Sequence, residues 1–321
     1  MKAGRFIFIS LIALVIMLSA QPGVSYASQG AQAWDAPALP TLFPVPPDSL
    51  GALEDVEEVR SFTLLLIGVD SYFDKISGRS DSMILCRLDR NEGKIKIVSF
   101  MRDLYVRIPG RGNNRLNAAF VFGGQKLLRE TLFNQFGVTA DAYIAVNFTL
   151  MKEMVDQLGG VDITITKAEM TQINYWSRVY YARSRLNSAS YVPLNEYGLV
   201  HLRGDQALAF SRIRNIDSDY QRTRRQRDVI AALFTKAAAM SNGELVNLVI
   251  NNIGRVQTDI ALGQALELLP LLTGMRRWEI ETLRIPADKC FSSRTISGMA
   301  VLVPDLKKNQ NVLKSFLGDA P

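Results

Sequence analysis

The stretch Phe62-Thr63-Leu64-Leu65-Leu66-Ile67-Gly68-Val69-Asp70 decides the class of fold. It is apolar almost without a break until a carboxylate closes it, the pattern of a buried strand. Two more strands follow, Ser82–Leu88 and Lys94–Phe100, joined by the turn Asp89-Arg90-Asn91-Glu92-Gly93. Beyond them the period changes. Gly124–Phe136 has helical spacing and stops at Gly137. Ala142–Val146 reads as a strand. Phe148, Met151, Val155 and Leu158 recur at helical spacing before Gly159-Gly160, and Val161–Ile165 alternates as a strand. Residues 171–200, rich in Tyr, Ser, Arg and Asn, read as a long polar excursion. Gly204–Ser211, Asp219–Met240, Gly243–Asn252 and Ile260–Leu272 are predicted helices, and Trp278–Ile285 a late strand. Strands alternating with helices predict one α/β domain over 61–321, a central mixed sheet with helices on both faces.

Composition narrows the chemistry. The 321 residues are 48% hydrophobic and 21% charged, an ordinary globular balance. One histidine, His201, and two cysteines, Cys86 and Cys290, exclude Cys/His zinc sites and a disulfide scaffold. Any metal is therefore held mainly by oxygen, which points to a hard cation such as Mg2+. His201 reads as structural and Cys86, inside an apolar strand, as a buried thiol. Nothing in their spacing indicates a Cys86–Cys290 bridge.

Lys2 and Arg5 precede an uncharged segment, Phe6–Ala20, and then Ser25-Tyr26-Ala27. A positive start, an apolar run and a small-residue cleavage pattern predict export, with residues 1–27 as a signal peptide or N-terminal membrane anchor. Residues 28–60 hold Pro37, Pro40, Pro44, Pro46 and Pro47 with six acids against Arg60, an extended acidic linker. The body after it is basic, and of the chain's 37 basic residues most are arginine. The planar guanidinium fork matches phosphate and carboxylate oxygens. Arg222-Thr223-Arg224-Arg225-Gln226-Arg227 also has the look of a nucleic-acid recognition helix. Export argues against that partner, so no nucleic acid is expected.

Several charges fall where strands end. Asp70 closes the first strand, Arg79 and Asp81 open the second, and Arg102 with Asp103 follow the third. Ligands of open α/β sheets collect beyond strand ends. On a helical wheel of about 100° per residue, Gln226, Val229, Leu233 and Ala237 lie within roughly 60° of Arg222. Arg222 and Gln226 thus begin the stripe that becomes core, whereas Arg224 and Arg227 point elsewhere and read as surface charge. Arg212 and Arg214 alternate around Ile213 and would face one way in an extended segment. Asp219, or Ser218, is placed to cap the following helix, and Asp219 also to hold an arginine. Gly123-Gly124 reads as a turn, with close backbone approach to a phosphate as the weaker alternative.

In this order, Gly68-Val69-Asp70, Arg79-Ser80-Asp81-Ser82-Met83, Ser99-Phe100-Met101-Arg102-Asp103, Arg115-Leu116-Asn117-Ala118, Phe122-Gly123-Gly124, Val146-Asn147-Phe148, Val155-Asp156-Gln157-Leu158-Gly159-Gly160-Val161 and Arg212-Ile213-Arg214 through Asp219-Tyr220-Gln221-Arg222 to Arg225-Gln226 resemble the LytR-CpsA-Psr family of cell-envelope proteins. The resemblance covers roughly 62–237. It departs at Phe100-Met101, where the family commonly has Ile-Pro, and at Arg115 and Ala118, where a Lys and a His are frequent. The resemblance implies an α/β/α sandwich with an internal hydrophobic pocket for a lipid tail. It also implies a Mg2+-dependent phosphotransferase on the outer side of the cytoplasmic membrane. Such an enzyme would move a glycopolymer (teichoic acid, capsule or similar) from a polyprenyl-diphosphate carrier to peptidoglycan, with diphosphate cleavage as an accompanying activity. By position, Asp70 and Asp81 would hold the cation. Arg79, Arg102, Arg212, Arg214, Arg222 and Gln226 would grip the diphosphate, with Arg102, Arg212, Arg214, Asp219 and Arg222 catalytic. Asp103 and Asp219 are candidate bases. The alternative is a non-catalytic polyprenyl-phosphate-binding protein of the envelope.

Overall fold

A computed structural model of the chain describes residues 61–70, 76, 78–183, 191–241, 243–244, 254–261, 263–264 and 278–318. The expected leader and linker lie outside these residues, as do most of the helices expected at Gly243–Asn252 and Ile260–Leu272. In chain order the elements are Ser61–Val69 (β1), Ser80–Asp89 (β2), Lys94–Phe100 (β3), Tyr105–Ile108 (β4), Gly112–Arg115 (β5), Ala118–Phe136 (α1), Ala142–Val146 (β6) and Phe148–Gln157 (α2). Then come Val161–Ile165 (β7), Lys167–Arg183 (α3), Gly198–Leu202 (β8), Gly204–Arg212 (α4), Asp219–Ala239 (α5), Gln257–Thr258 (β9), Glu279–Ile285 (β10), Phe291–Ile296 (β11), Met299–Pro304 (β12) and Leu306–Leu317 (α6).

The main sheet runs β10-β3-β2-β1-β6-β9. β1 pairs antiparallel with β2 and parallel with β6, and β3 pairs parallel with β10, so the sheet is mixed as expected. Residue parity sorts the core onto its two faces. Phe62, Leu64, Ile84, Cys86, Ile95, Ile97 and Ile144 pack on one side with α2, α4 and α5. Leu65, Ile67, Met83, Leu85, Val98, Phe100 and Tyr143 pack on the other with α1 and α6. Strands buried on both faces need apolar residues at nearly every position, which is why β1 reads as a continuous run. Gly68 answers a local need, because a Cβ there would stand 3.0 Å from the Cβ of Ser82 on the paired strand.

Three expectations are corrected. The polar excursion at 171–200 begins as helix: α3 runs from Lys167 to Arg183. It buries Ile173 and Ser177, with Met170, Trp176 and Tyr180 packed beside them on the core, a helical stripe disguised by aromatic and polar residue types. Thr166 and Glu169 start it with a reciprocal capping box, the Thr166 amide donating to Glu169 Oε2 (2.8 Å) and the Glu169 amide to Thr166 Oγ1 (3.2 Å). Gly123-Gly124 is a kink inside α1, with φ +61° at Gly124. Neither Ser218 nor Asp219 caps α5 through its side chain; Ser218 holds the cap position without a side-chain bond. Cys86 and Cys290 are both buried and free, and burial pushes the Cys86 thiol pKa upward. His201 sits on the surface, its Nδ1 2.7 Å from Asp162 Oδ1.

Candidate active site

The site forms where β1 ends and β2 begins. Gly68 pairs with Ser82 but Val69 with Ser80, which leaves Asp81 as the extra residue of a β-bulge. A bulge re-aims side chains, and Asp81 lines a cavity between the sheet and helices α2, α4 and α5. Its carboxylate is clamped from two sides. Arg102 Nη1 donates to Oδ1 and Arg214 Nη2 to Oδ2, each at 3.0 Å. Burial alone would raise the Asp81 pKa, but Arg102, Arg222 and Arg214 outweigh it and hold the carboxyl below its usual value.

The remaining arginines converge on the same mouth. Arg222 is 2% exposed and donates Nη2 to Asp219 Oδ2 at 2.8 Å. Its Nε and Nη1 are buried with no hydrogen-bond partner among the described residues. Burial brings its pKa down to about 10; Asp219 opposes that fall, and the neighbouring Arg102 and Arg214 add to it. Arg102 Nη2 lies 3.8 Å from Asp219 Oδ1 and its Nε 3.6 Å from Asp103 Oδ2. Arg212 Nη2 lies 3.8 Å from Asp70 Oδ1, and its guanidinium rests 3.7 Å over the Phe148 ring. That ring is held by the Asn147 cap of α2, whose Oδ1 accepts from the Leu150 amide at 2.9 Å. The Val146-Asn147-Phe148 motif thus builds a cation–π seat for Arg212.

Arg212 and Arg214 differ from their expected extended alternation. Arg212 is the last residue of α4 and the chain turns at Ile213 (φ −56°, ψ 128°), yet both side chains reach the cavity mouth. Gln226 lines the cavity one turn below Arg222, and Val229, Leu233 and Ala237 continue the stripe into the core. Arg79 stands at the same strand end with its side chain exposed, and its backbone carbonyl accepts from the Asp70 amide at 3.2 Å. Arg224 and Arg227 are not free surface charges. Both are half-buried, and Arg224 bonds Gln221, Asp228 and Glu169.

Below the polar mouth the cavity is apolar, walled by Ile84, Ile144, Met151, Met154, Leu208 and Phe234. It is narrow, about 100 Å3. Two methionines in its wall are the side chains best suited to repack around a guest.

A second set of residues holds the site, in roles the sequence did not assign. Arg225, 1% exposed, donates Nε to Glu169 Oε1 (2.7 Å), Nη1 to the Ile213 carbonyl (3.2 Å) and to Asp217 Oδ1 (3.1 Å), and Nη2 to Asp217. It pins the residue between Arg212 and Arg214. Arg115 plays a similar part for Asp103, its Nε 3.3 Å from Oδ1 while Nη2 donates to the Ala300 carbonyl (2.6 Å). Arg115 and Arg225 were legible as motif members, and the Thr166–Glu169 capping box was the available sign of Glu169.

Four guanidiniums and four carboxylates gather at the strand ends of an α/β/α protein, with an apolar cavity behind them. The model of the LytR_cpsA_psr family matches residues 47–316, and the chain belongs to that family. It is 30% identical over 270 residues to the polyisoprenyl-teichoic acid–peptidoglycan teichoic acid transferase TagU of Halalkalibacterium halodurans, covering 82% of this chain and 81% of that protein. It is 33% identical over 256 residues to the TagU of Oceanobacillus iheyensis, covering 76% and 71%. Among solved structures, TagT bound to LIIa-WTA superposes with a TM-score of 0.64 at 26% identity, covering 81% of this chain and 92% of that one.

Proposed function

We propose that this chain is an extracytoplasmic phosphotransferase that moves a glycopolymer from a polyprenyl-diphosphate carrier onto a peptidoglycan hydroxyl. The observation that carries the reading is Arg222. It is a buried guanidinium at the head of an apolar cavity, with two arginine neighbours, and its Nε and Nη1 have no partner among the described residues beyond the one bond to Asp219, so it can accept a further anion. Buried unsatisfied donors are costly, so such an arrangement persists where a ligand completes it. A diphosphate supplies the charge and a prenyl chain the apolar tail. The relatives named as polyisoprenyl-teichoic acid transferases support this substrate class.

In the transfer, the acceptor oxygen bonds to the phosphorus that carries the glycopolymer. The bond from that phosphorus to the bridging oxygen breaks, polyprenyl monophosphate leaves, and the hydroxyl proton passes to a carboxylate at the mouth, Asp103 or Asp219. Arg102, Arg212, Arg214 and Arg222 are already fixed by Asp81, Asp70, Asp219 and Phe148, so they stabilise charge on both phosphates without reorganising. Among the described residues no three acidic, His or Cys side chains form a metal cluster. Asp70 and Asp81 at adjacent strand ends offer hard oxygen donors that suit Mg2+, which keeps waters and shares substrate phosphate oxygens. When bound there, the cation would neutralise charge on the leaving phosphate.

The test is turnover of a lipid-linked glycopolymer with peptidoglycan oligomers as acceptor. Arg102→Ala and Arg222→Met are expected to fold and to lose transfer. Full turnover in both variants refutes the reading, and binding of the lipid without turnover in the parent protein assigns a carrier instead.

A further inference from the structure

A groove of about 370 Å3 opens between the start of α5 and the β11–β12 hairpin, and its Met101, Tyr220 and Leu302 belong to the opposite core face of the sheet from the wall of the apolar cavity. Asp103 and Asp219 form its inner end, and Tyr220, Ser293, Arg294 and Thr295 line it outward. The two spaces meet at one place: Arg222 lines the cavity, Asp219 lines the groove, and the two are joined by the 2.8 Å bond. From this geometry we infer that the groove is the acceptor subsite, where a glycan strand of peptidoglycan presents its hydroxyl to the bound phosphate. The inference rests on the transfer reading above.

Three observations support the assignment. In phosphoryl transfer the attacking and leaving oxygens lie roughly in line across phosphorus. With the prenyl phosphate leaving toward the cavity, the nucleophile arrives from the opposite side; the groove, lined from the other core face of the sheet, offers that approach and two carboxylates, Asp103 and Asp219, to take the proton. The lining also matches the chemistry of an acidic sugar polymer. Ser293 and Thr295 offer hydroxyls. Arg294 is exposed and takes part in no ion pair found among the described residues, so it is available to a stem-peptide carboxylate. Finally, the groove is braced. The Leu302 amide donates to the Asp103 carbonyl (2.9 Å), and Arg115 ties Asp103 to Ala300. Arg284 stacks 4.2 Å over the Tyr220 ring. The hairpin is thus fixed to the residues that face the phosphate, as an acceptor platform requires.

Two variants test the groove without touching the arginine cluster: Arg294→Glu reverses its charge and Ala300→Trp fills it from an exposed position. The full chain is titrated with uncrosslinked peptidoglycan oligomers by calorimetry, and with the lipid-linked donor separately. Both variants are expected to weaken oligomer binding at least 10-fold and to raise the acceptor KM while kcat and donor affinity hold. Arg222→Met is expected to weaken the donor and leave oligomer binding unchanged. Oligomer affinity unchanged in both groove variants overturns the inference. Loss of donor affinity in place of oligomer affinity also overturns it, because the groove then holds the donor's own glycan. Failure of the parent protein to turn over any donor is a separate result that refutes the transfer reading, and the oligomer titration decides the groove independently of it.

Discussion

Arg222 and Arg225 stand three residues apart on α5, both almost fully buried, and their partners predict opposite consequences for the same substitution. Arg222→Met removes a guanidinium that gives one bond to a partly exposed Asp219 and leaves Nε and Nη1 without partners. Each buried unsatisfied donor costs about 1–3 kcal/mol, so a methionine of similar length is expected to leave stability within about 1 kcal/mol of the parent or to raise it. Arg225→Met breaks bonds to Glu169, Asp217 and the Ile213 carbonyl and leaves Glu169, which is 3% exposed, with the longer Arg224 contact as its remaining ion pair. Breaking one side of a buried ion pair costs about 3–5 kcal/mol, and Arg225→Met is expected to fall in that range. Activity reverses the order. Removing a preorganised donor from developing phosphate charge costs about 10²–10³ in kcat, and Arg222→Met is expected to lose that much while remaining folded. Arg225→Met acts through the Arg212–Arg214 segment, and its loss of activity should follow its folded fraction and the mobility of that turn. Urea unfolding monitored by circular dichroism, paired with turnover, reads both quantities. A destabilisation of 3 kcal/mol or more in Arg222→Met (about the lower bound for a broken buried pair) or retained turnover refutes the reasoning, because Arg222 would then be a structural ion-pair member.

Acid sensitivity follows from Asp81 and Glu169, where burial raises the pKa but is outweighed, by the arginines around Asp81 and by Arg225 with the Thr166 hydrogen bonds at Glu169, so both values are lowered. A carboxyl with a depressed folded pKa contributes stability above its unfolded value, about 4, and loses it as pH falls through the folded pKa. Urea midpoints measured from pH 7 to pH 3 should therefore drop on acidification, and Asp81→Asn should flatten that slope; an unchanged slope contradicts the clamp. Met151→Trp fills the cavity from a half-buried wall position, at a cost of about 1–3 kcal/mol for overpacking. Mass spectrometry should find the variant stripped of co-purifying prenyl lipid, while binding of a short soluble diphosphate is retained. Chelation of divalent cations is expected to abolish transfer, with Mg2+ restoring it. Asp70→Asn should shift the Mg2+ required for half-maximal rate upward, and an unshifted titration removes Asp70 from the cation site.

The central strands were legible because each is covered on both faces, which forces apolar residues into consecutive positions of β1 and β2. The inward turn of Arg222 and Gln226 was legible because α5 continues without interruption into Val229, Leu233 and Ala237. Helix α3 was hidden: its contact stripe uses Ile173, Ser177, Trp176 and Tyr180, residue types that also occur in loops. The β11–β12 hairpin shows little hydrophobic alternation, since Ser292–Thr295 are exposed. Partner choice was the least legible feature. Glu169 meets Arg225 across 56 positions of chain, and Asp81 enters the site through a bulge that depends on pairing with β1.

The most direct measurement is a crystal structure of the full chain grown with geranylgeranyl diphosphate. Both phosphates are expected within hydrogen-bond distance of the Arg222 Nε and Nη1 atoms, flanked by Arg102, Arg212 and Arg214, with the prenyl tail between α2 and α5 against Met151 and Met154. A diphosphate bound at exposed arginines elsewhere, with Arg222 still unpaired and the cavity closed, would contradict the assignment of this site.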